Sequence, residues 1–286
     1  MNILITGANG YLAKNFVKEI ANKTNHNLIL LVRKDADIND LIRYVTIDKI
    51  IFYDGSIKSL NKLKHSEVDI IFHLANYYPD SNRLALQEEI IGSNYKLIMD
   101  VLTSLDINTE KNKVNDDIRI INITSYVIFD DNIHSLYKYT KLVIYKYLLS
   151  KNCQTYILFD TYGKDDPRPK LINYLINYSM SGEKLQMNYT KDSTINLVYL
   201  KDVISAFMLA IENKNNTTKE NFIYSNTYTL NEVVDTFNKV SKNKINVEWP
   251  DSGCQKKSFS FNKAKTTPNN WKPRYNLTMG LTEILK

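Results

Sequence analysis

The chain has almost no cysteine: Cys153 and Cys254 are the whole supply in 286 residues, far apart and without the spacing of metal ligands. Neither a disulfide framework nor a metal site is therefore expected. Long apolar runs are also missing. No stretch approaches the roughly 18 apolar residues of a membrane span, and Met1-Asn-Ile-Leu-Ile-Thr6 enters a strand pattern at once, with no basic leader. The expectation is a cytoplasmic protein with no membrane partner. A net charge of +6 suits an anionic ligand, yet the lysines are scattered. No basic run is interleaved with aromatics as a nucleic-acid surface requires, so no nucleic acid is expected. Internal repeats are absent. What is present is 43% hydrophobic residues, enough to fill the core of one large domain or of a domain with a smaller appendage.

Apolar runs of strand length alternate with segments of helical period. Strands are predicted at Ile3 to Thr6, Leu28 to Arg33, Ile50 to Asp54, Val68 to Ala75, Ile118 to Ser125 and Thr155 to Phe159. Helices are predicted at Leu12 to Thr24, Ile57 to Lys64, Gln87 to Leu105 and Leu136 to Ser150. This rhythm points to an α/β fold, a parallel sheet covered by helices. After Gly163 it breaks into Lys164-Asp-Asp-Pro-Arg-Pro169, whose prolines exclude a helix interior. A first domain is set at residues 1–165 and a smaller α+β region at 166–286, with 195–212 returning to the first domain.

Thr6-Gly-Ala-Asn-Gly-Tyr-Leu-Ala13 follows the first strand and opens the first helix. Gly7 permits the tight turn, Gly10 lets a pyrophosphate approach the backbone, and Ala13 allows close helix-to-strand packing. The helix N-terminus adds amide donors, so Asn9, Tyr11 and Leu12 join the cofactor candidates. At the end of the second strand an acidic residue would accept from ribose hydroxyls, whereas an arginine holds a 2′-phosphate. Arg33 and Lys34 stand there, and the expected cofactor is NADP(H). The alternative leaves Arg33 solvated and gives the ribose to Asp35. Asp54, followed by Gly55, closes the third strand and is a candidate for the adenine amine.

Tyr137 stands one helical turn before Lys141, a spacing that puts both side chains on one face and lets an ammonium favour the phenolate. With 20 Tyr in the chain, chance supplies about two such pairs if lysine is roughly one residue in ten. Tyr147 with Lys151 is the second.

The segments Thr6 to Ala13, His73-Leu-Ala75, Asn122-Ile-Thr-Ser125 and Tyr137 to Lys141, in this order, resemble the extended short-chain dehydrogenase/reductase superfamily that works on nucleotide sugars. Leu158 to Gly163 with Asp166 to Lys170, Asn196 to Asp202, and Trp271-Lys-Pro273 resemble its branch of CDP-abequose and CDP-paratose synthases. The resemblance implies a doubly wound Rossmann-type sheet with a smaller C-terminal substrate-binding domain, acting as a homodimer. The implied reaction is NADPH-dependent reduction of the C4 keto group of a nucleotide-linked, CDP-type 4-keto-deoxysugar for surface polysaccharide. Ser125, Tyr137 and Lys141 become the catalytic residues, and Tyr147 lies too far along its helix. Leu74, Ala75 and Asn76 are implied at the cofactor, and Tyr78, Asn94, Thr124, Tyr126 and Lys170 at the substrate. His73 takes an architectural part. Many relatives carry an arginine where Ile195 stands, which removes one diphosphate contact that Lys256 or Lys257 could replace.

Two rivals stay open. A 4-epimerase with bound NAD needs the same three catalytic residues, and Arg33 argues against it. A non-catalytic NADP-binding regulatory protein would commonly have lost the tyrosine or the lysine. A dehydratase is disfavoured because Tyr126-Val127 stands where that type carries an Asp-Glu pair.

Overall fold

A computed structural model describes residues 1–78, 86–107, 118–151, 153–213, 217–250 and 266–286. Cys254, Lys256 and Lys257 lie outside the described residues. The chain begins β1 (Asn2–Thr6), α1 (Tyr11–Lys23), β2 (Asn27–Arg33), β3 (Ile50–Tyr53), β4 (Ile70–His73). It continues through α2 (Gln87–Ile91), a π turn (Gly92–Lys96), α3 (Leu97–Ser104), β5 (Arg119–Ser125), α4 (Leu136–Ser150) and β6 (Gln154–Leu158). Then come β7 (Asp160–Tyr162), α5 (Leu171–Ser181), β8 (Leu185–Gln186), β9 (Thr194–Tyr199), α6 (Leu200–Glu212) and β10 (Glu220–Ile223). The last elements are β11 (Thr227–Thr229), α7 (Leu230–Val240), β12 (Val247–Glu248) and α8 (Leu277–Ile284).

A seven-stranded sheet runs in the order β10-β6-β5-β4-β1-β2-β3. The pairs β1–β2, β1–β4, β2–β3 and β4–β5 are parallel, which bears out the predicted α/β class. In β1, Ile3, Leu4, Ile5 and Thr6 are all buried, the continuous burial of a strand covered on both faces. On one face Leu4, Ile71 and Ile120 join Val101 and Leu102 of α3 and Ile144 and Leu148 of α4 in one core. On α1 the buried residues Ala13, Phe16, Val17 and Ile20 form a single stripe, and Phe16 meets Phe72 edge to face at 4.7 Å.

The chain divides into two compact units, residues 1–157 with 210–221, and 158–209 with 222–286. The sequence reading set the boundary at 165 and returned 195–212, whereas this division falls after residue 157 and groups 210–221 with the first unit. Residues 210–221 are what returns, because the Arg119 guanidinium donates to the carbonyls of Ala210 (3.1 Å) and Ile211 (2.9 Å) and Tyr145 donates to the Glu220 carboxylate. By contrast β9 belongs to the second unit, in a three-stranded sheet β11-β9-β7. There the Asn196 amide donates to Ser225 O (2.6 Å) and Thr227 Oγ1 (3.1 Å). The second unit has its own core, with Leu175, Leu197, Tyr199, Val233, Phe237 and Leu281. Its C-terminal segment is fixed by the buried Asp202 carboxylate, which accepts from the amides of Arg274 (2.9 Å) and Tyr275 (3.0 Å).

Two helices differ from expectation. Ile57–His65 is a 3-10 helix, and the predicted continuous helix Gln87 to Leu105 is interrupted by the π turn. A π turn inserts one residue into the helical count and tends to sit at functional sites.

Candidate functional site

The turn from β1 into α1 needs its first glycine. Gly7 has φ +66, and a Cβ there would lie 2.6 Å from Ala75 Cα, so only glycine lets the turn and the β4 end approach. Gly10 N donates to Gly7 O at 2.9 Å, and Gly10 then caps α1 without offering a side-chain acceptor to the first-turn amides. The first turn of α1 carries no acidic residue. Asn9, Tyr11 and Leu12 are half-buried beside it, and Ala13 is buried against the sheet. A cap of this kind, with the dipole positive at its end, fits an anionic phosphate.

At the end of β2, Arg33, Lys34 and Asp35 are exposed, and Lys34 N donates to Tyr53 O at 2.9 Å, tying the ends of β2 and β3. Asp54 is exposed as well. Its Oδ1 accepts from Ser56 N (2.8 Å) and Ser56 Oγ (2.7 Å), and the hydroxyl bond holds the carboxyl below the usual range. Gly55 follows at φ +94.

The end of β4 is organised by Thr6. Its Oγ1 accepts from Ala75 N at 3.1 Å and lies 2.9 Å from His73 Nδ1. His73 is fully buried, and burial, helped by the Lys141 charge, takes its pKa well below the ordinary value. The imidazole is neutral and architectural. Its Nε2, with Asn122 Oδ1 and Thr124 Oγ1, has no hydrogen-bond partner among the described residues.

Ser125 ends β5 and caps the short turn Tyr126–Phe129, its Oγ accepting from Val127 N at 3.4 Å. Ser135 caps α4, its Oγ accepting from Lys138 N at 3.2 Å, and so sets Tyr137 in the first helical turn. Asn76 Nδ2 donates to Tyr137 Oη at 3.4 Å, and Tyr78 meets the Tyr137 ring edge to face at 4.9 Å. One turn on, Lys141 is 3% exposed and donates from Nζ to Ile123 O at 3.2 Å. Burial lowers its pKa from 10.5 to about 7. The other spaced pair is different: Tyr147 packs against the core and the Lys151 ammonium lies 6.0 Å from its ring centroid.

Asn94, which the resemblance assigns to the substrate, lies in the π turn. It is fully buried there, where Oδ1 accepts from Tyr77 N (2.8 Å) and Nδ2 donates to Tyr77 O (3.2 Å) and Thr140 Oγ1 (3.3 Å). Its amide ties the segment after β4 to α4. Tyr126 and Thr124, also assigned to substrate, are 5% and 3% exposed. Tyr78 is the open one, at 67%. In the second unit Lys170 precedes α5 and its Nζ lies 3.4 Å from Asp160 Oδ1. The turn-rich segment before it is rigid: the Arg168 guanidinium grips Asp166 through Nε (2.7 Å) and Nη2 (2.6 Å) and donates to Thr161 Oγ1 at 3.0 Å. Ile195 packs against the core of that unit. Cys153 is buried, which pushes its thiol up to about 12.

A glycine turn shaped for a phosphate and a tyrosine one turn before a buried lysine, both in a doubly wound α/β unit, define a protein of the nicotinamide-dinucleotide class. The chain belongs to the NAD dependent epimerase/dehydratase family, whose model matches residues 3–225. It is 26% identical over 268 residues to the CDP-abequose synthase of Yersinia pseudotuberculosis, covering 86% of this chain and 87% of that one. Among solved structures it is similar to the UDP-glucuronic acid 4-epimerase of Bacillus cereus in complex with UDP-glucuronic acid and NAD, at TM-score 0.74 and 16% identity, covering 100% of this chain and 98% of that one. The ADP-L-glycero-D-manno-heptose-6-epimerase of Helicobacter pylori is also similar, at TM-score 0.76 and 18% identity, covering 99% and 94%. At these identities the two structures establish the fold. No helix among the described residues is long and apolar enough to cross a membrane.

Proposed function

We propose that this protein is an NADPH-dependent reductase of the C4 keto group of a nucleotide-linked 4-keto-deoxysugar, with CDP as the nucleotide. The observation that carries the reading is Tyr137, set in the first turn of α4 one turn before the buried Lys141 and held by Asn76. Gly7, Gly10 and the first turn of α1 would hold the pyrophosphate of the dinucleotide, Arg33 with Lys34 its 2′-phosphate, and Asp54 with Gly55 its adenosine. Leu74, Ala75 and Asn76 line its nicotinamide end. The nicotinamide, when bound, supplies the hydride that the carbonyl carbon takes.

Tyr137 gives its phenolic proton to the carbonyl oxygen as that oxygen becomes an alcohol. Ser125 Oγ donates a hydrogen bond to the same oxygen and stabilises the charge that develops there. Lys141 lies one helical turn on, on the same face as Tyr137, where its ammonium form favours the phenolate that proton transfer leaves. Asn76 fixes the direction of the phenolic oxygen, and the exposed Tyr78 flanks the sugar. CDP rests on the abequose synthase relative, and NADPH rests on Arg33.

The chemistry calls for a cytoplasmic protein. Exposed Ile91 on α2, Tyr95 in the π turn, and Tyr139 and Val143 on α4 support a homodimer through those elements. Purified protein should oxidise NADPH when a CDP-4-keto-deoxysugar is added. A second reading, a 4-epimerase with bound NAD, is favoured by the NAD carried in the Bacillus cereus structure. Interconversion of unoxidised nucleotide sugars with no net change in cofactor would establish that reading instead.

A further inference from the structure

The π turn ends on Lys96, two positions after Asn94. The Lys96 ammonium donates to Gly55 O at 2.8 Å and to Tyr53 Oη at 3.3 Å, and it pairs with Asp100. Tyr53 Oη in turn donates to Asp100 Oδ2 at 2.6 Å. Tyr53 ends β3, so three side chains from two distant segments close a hydrogen-bonded ring beside the Asp54-Gly55 turn.

An exposed ion pair by itself contributes little, and Lys96 is half exposed. The case rests on what Lys96 holds. Gly55 sits at φ +94, and a Cβ built on it would find nothing within 4 Å. This turn is therefore open on its Gly55 side and has no packing partner there among the described residues. Its conformation is set by hydrogen bonds, those of Ser56 to the Asp54 carboxylate on one side and that of Lys96 to the Gly55 carbonyl on the other. Gly55 is one of the residues where the adenosine end of the dinucleotide would lie, and Lys96 reaches it from a helix that also ties Tyr77 and Thr140 through Asn94.

We infer that Lys96 is a positioning residue for the adenosine end of the dinucleotide: it holds the Gly55 carbonyl and thereby aims the Asp54-Gly55 backbone. The inference rests on the cofactor reading above. Because Lys96 acts through the turn and not on the 2′-phosphate, its loss should weaken NADPH and NADH by the same factor.

The test titrates NADPH and NADH separately into wild type, Lys96→Met and Lys96→Arg, following the fluorescence of the bound nicotinamide, with kcat and the cofactor KM read alongside. Lys96→Met should raise both dissociation constants about tenfold, the order of one charge-assisted hydrogen bond. The cofactor KM should rise with them while kcat at saturating cofactor falls far less, and Lys96→Arg should regain most of the affinity. Equal affinity of Lys96→Met and wild type for both dinucleotides overturns the inference. So does a loss confined to NADPH, which would make Lys96 a direct phosphate ligand. Tyr53→Phe opens the same ring at a second point and should weaken both dinucleotides in the same direction, so a misfolded Lys96→Met leaves the question decidable. Wild type that binds neither dinucleotide overturns the cofactor reading itself, an outcome distinct from wild type that binds and variants that match it.

Discussion

Burial takes Lys141 from an ordinary 10.5 to about 7, so the chain gives up about half a proton at this site when it folds at pH 7. Between those two values the unfolded chain binds more protons than the folded one, and stability therefore rises with pH through that window. At about 1.4 kcal/mol per unit, the cost at pH 7 is about 4 kcal/mol. Lys141→Met removes the titrating group while keeping an unbranched side chain of similar bulk. It also strands Ile123 O, the acceptor of the Lys141 ammonium, which costs about 1–3 kcal/mol. The net expectation is a variant more stable than wild type by about 2 kcal/mol at pH 7, a rise in Tm on the order of 5 °C, with turnover lost. The assay is thermal melting of both proteins without cofactor from pH 7 to pH 10. Taking the difference between the two cancels every other titrating group, and the advantage of the variant should shrink and reverse as pH rises. A variant less stable than wild type at pH 7, or a difference that stays flat with pH, would refute the reasoning.

Tyr137→Phe should cut kcat by about 10²–10⁴, the ordinary worth of a positioned proton donor, while cofactor binding measured by titration survives. Retained turnover would put the proton donor elsewhere. Arg33→Asp should weaken NADPH relative to NADH by tenfold or more, the order of one lost charge-assisted contact, read as the ratio of the two cofactor KM values. An unchanged ratio removes Arg33 from cofactor choice. Gly7→Ala should destabilise by about 2–4 kcal/mol, since a positive φ alone costs about 1–2 kcal/mol and the new Cβ meets Ala75 Cα at 2.6 Å. A denaturation midpoint equal to wild type would show that the turn relaxes freely.

The α/β rhythm was legible because a strand covered on both faces reads as a short apolar run, as Ile3 to Thr6 does, and a helix reads as a stripe, as Ala13, Phe16, Val17 and Ile20 do. The glycine turn and the spacing from Ser125 to Tyr137 and Lys141 were legible for a related reason: each lies within one strand-turn-helix segment. The π turn was not. One inserted residue leaves Leu97, Ile98, Val101 and Leu102 on a single buried face, so the apolar period gives no sign of it. Nor could the sequence show that β9 joins β7 and β11, because a strand followed by a helix has the same pattern in either sheet. Asn94 and Lys96 were hidden further, since the partners that give them their parts, Tyr77, Thr140, Tyr53 and Gly55, are remote along the chain. The spacing of Lys96 and Asp100 marks a helix pair and nothing about Gly55.

The first unit is written in two pieces, and this sets an order on its synthesis. Arg119 donates to the carbonyls of Ala210, Ile211 and Asn213, and Tyr145 donates to Glu220. A chain emerging from the ribosome has Gly7, Ser125, Tyr137 and Lys141 in hand long before the segment that finishes their unit. Residues 158–209 must emerge first, so the Arg119 guanidinium waits for residues 210–213 and the Tyr145 phenol for residue 220.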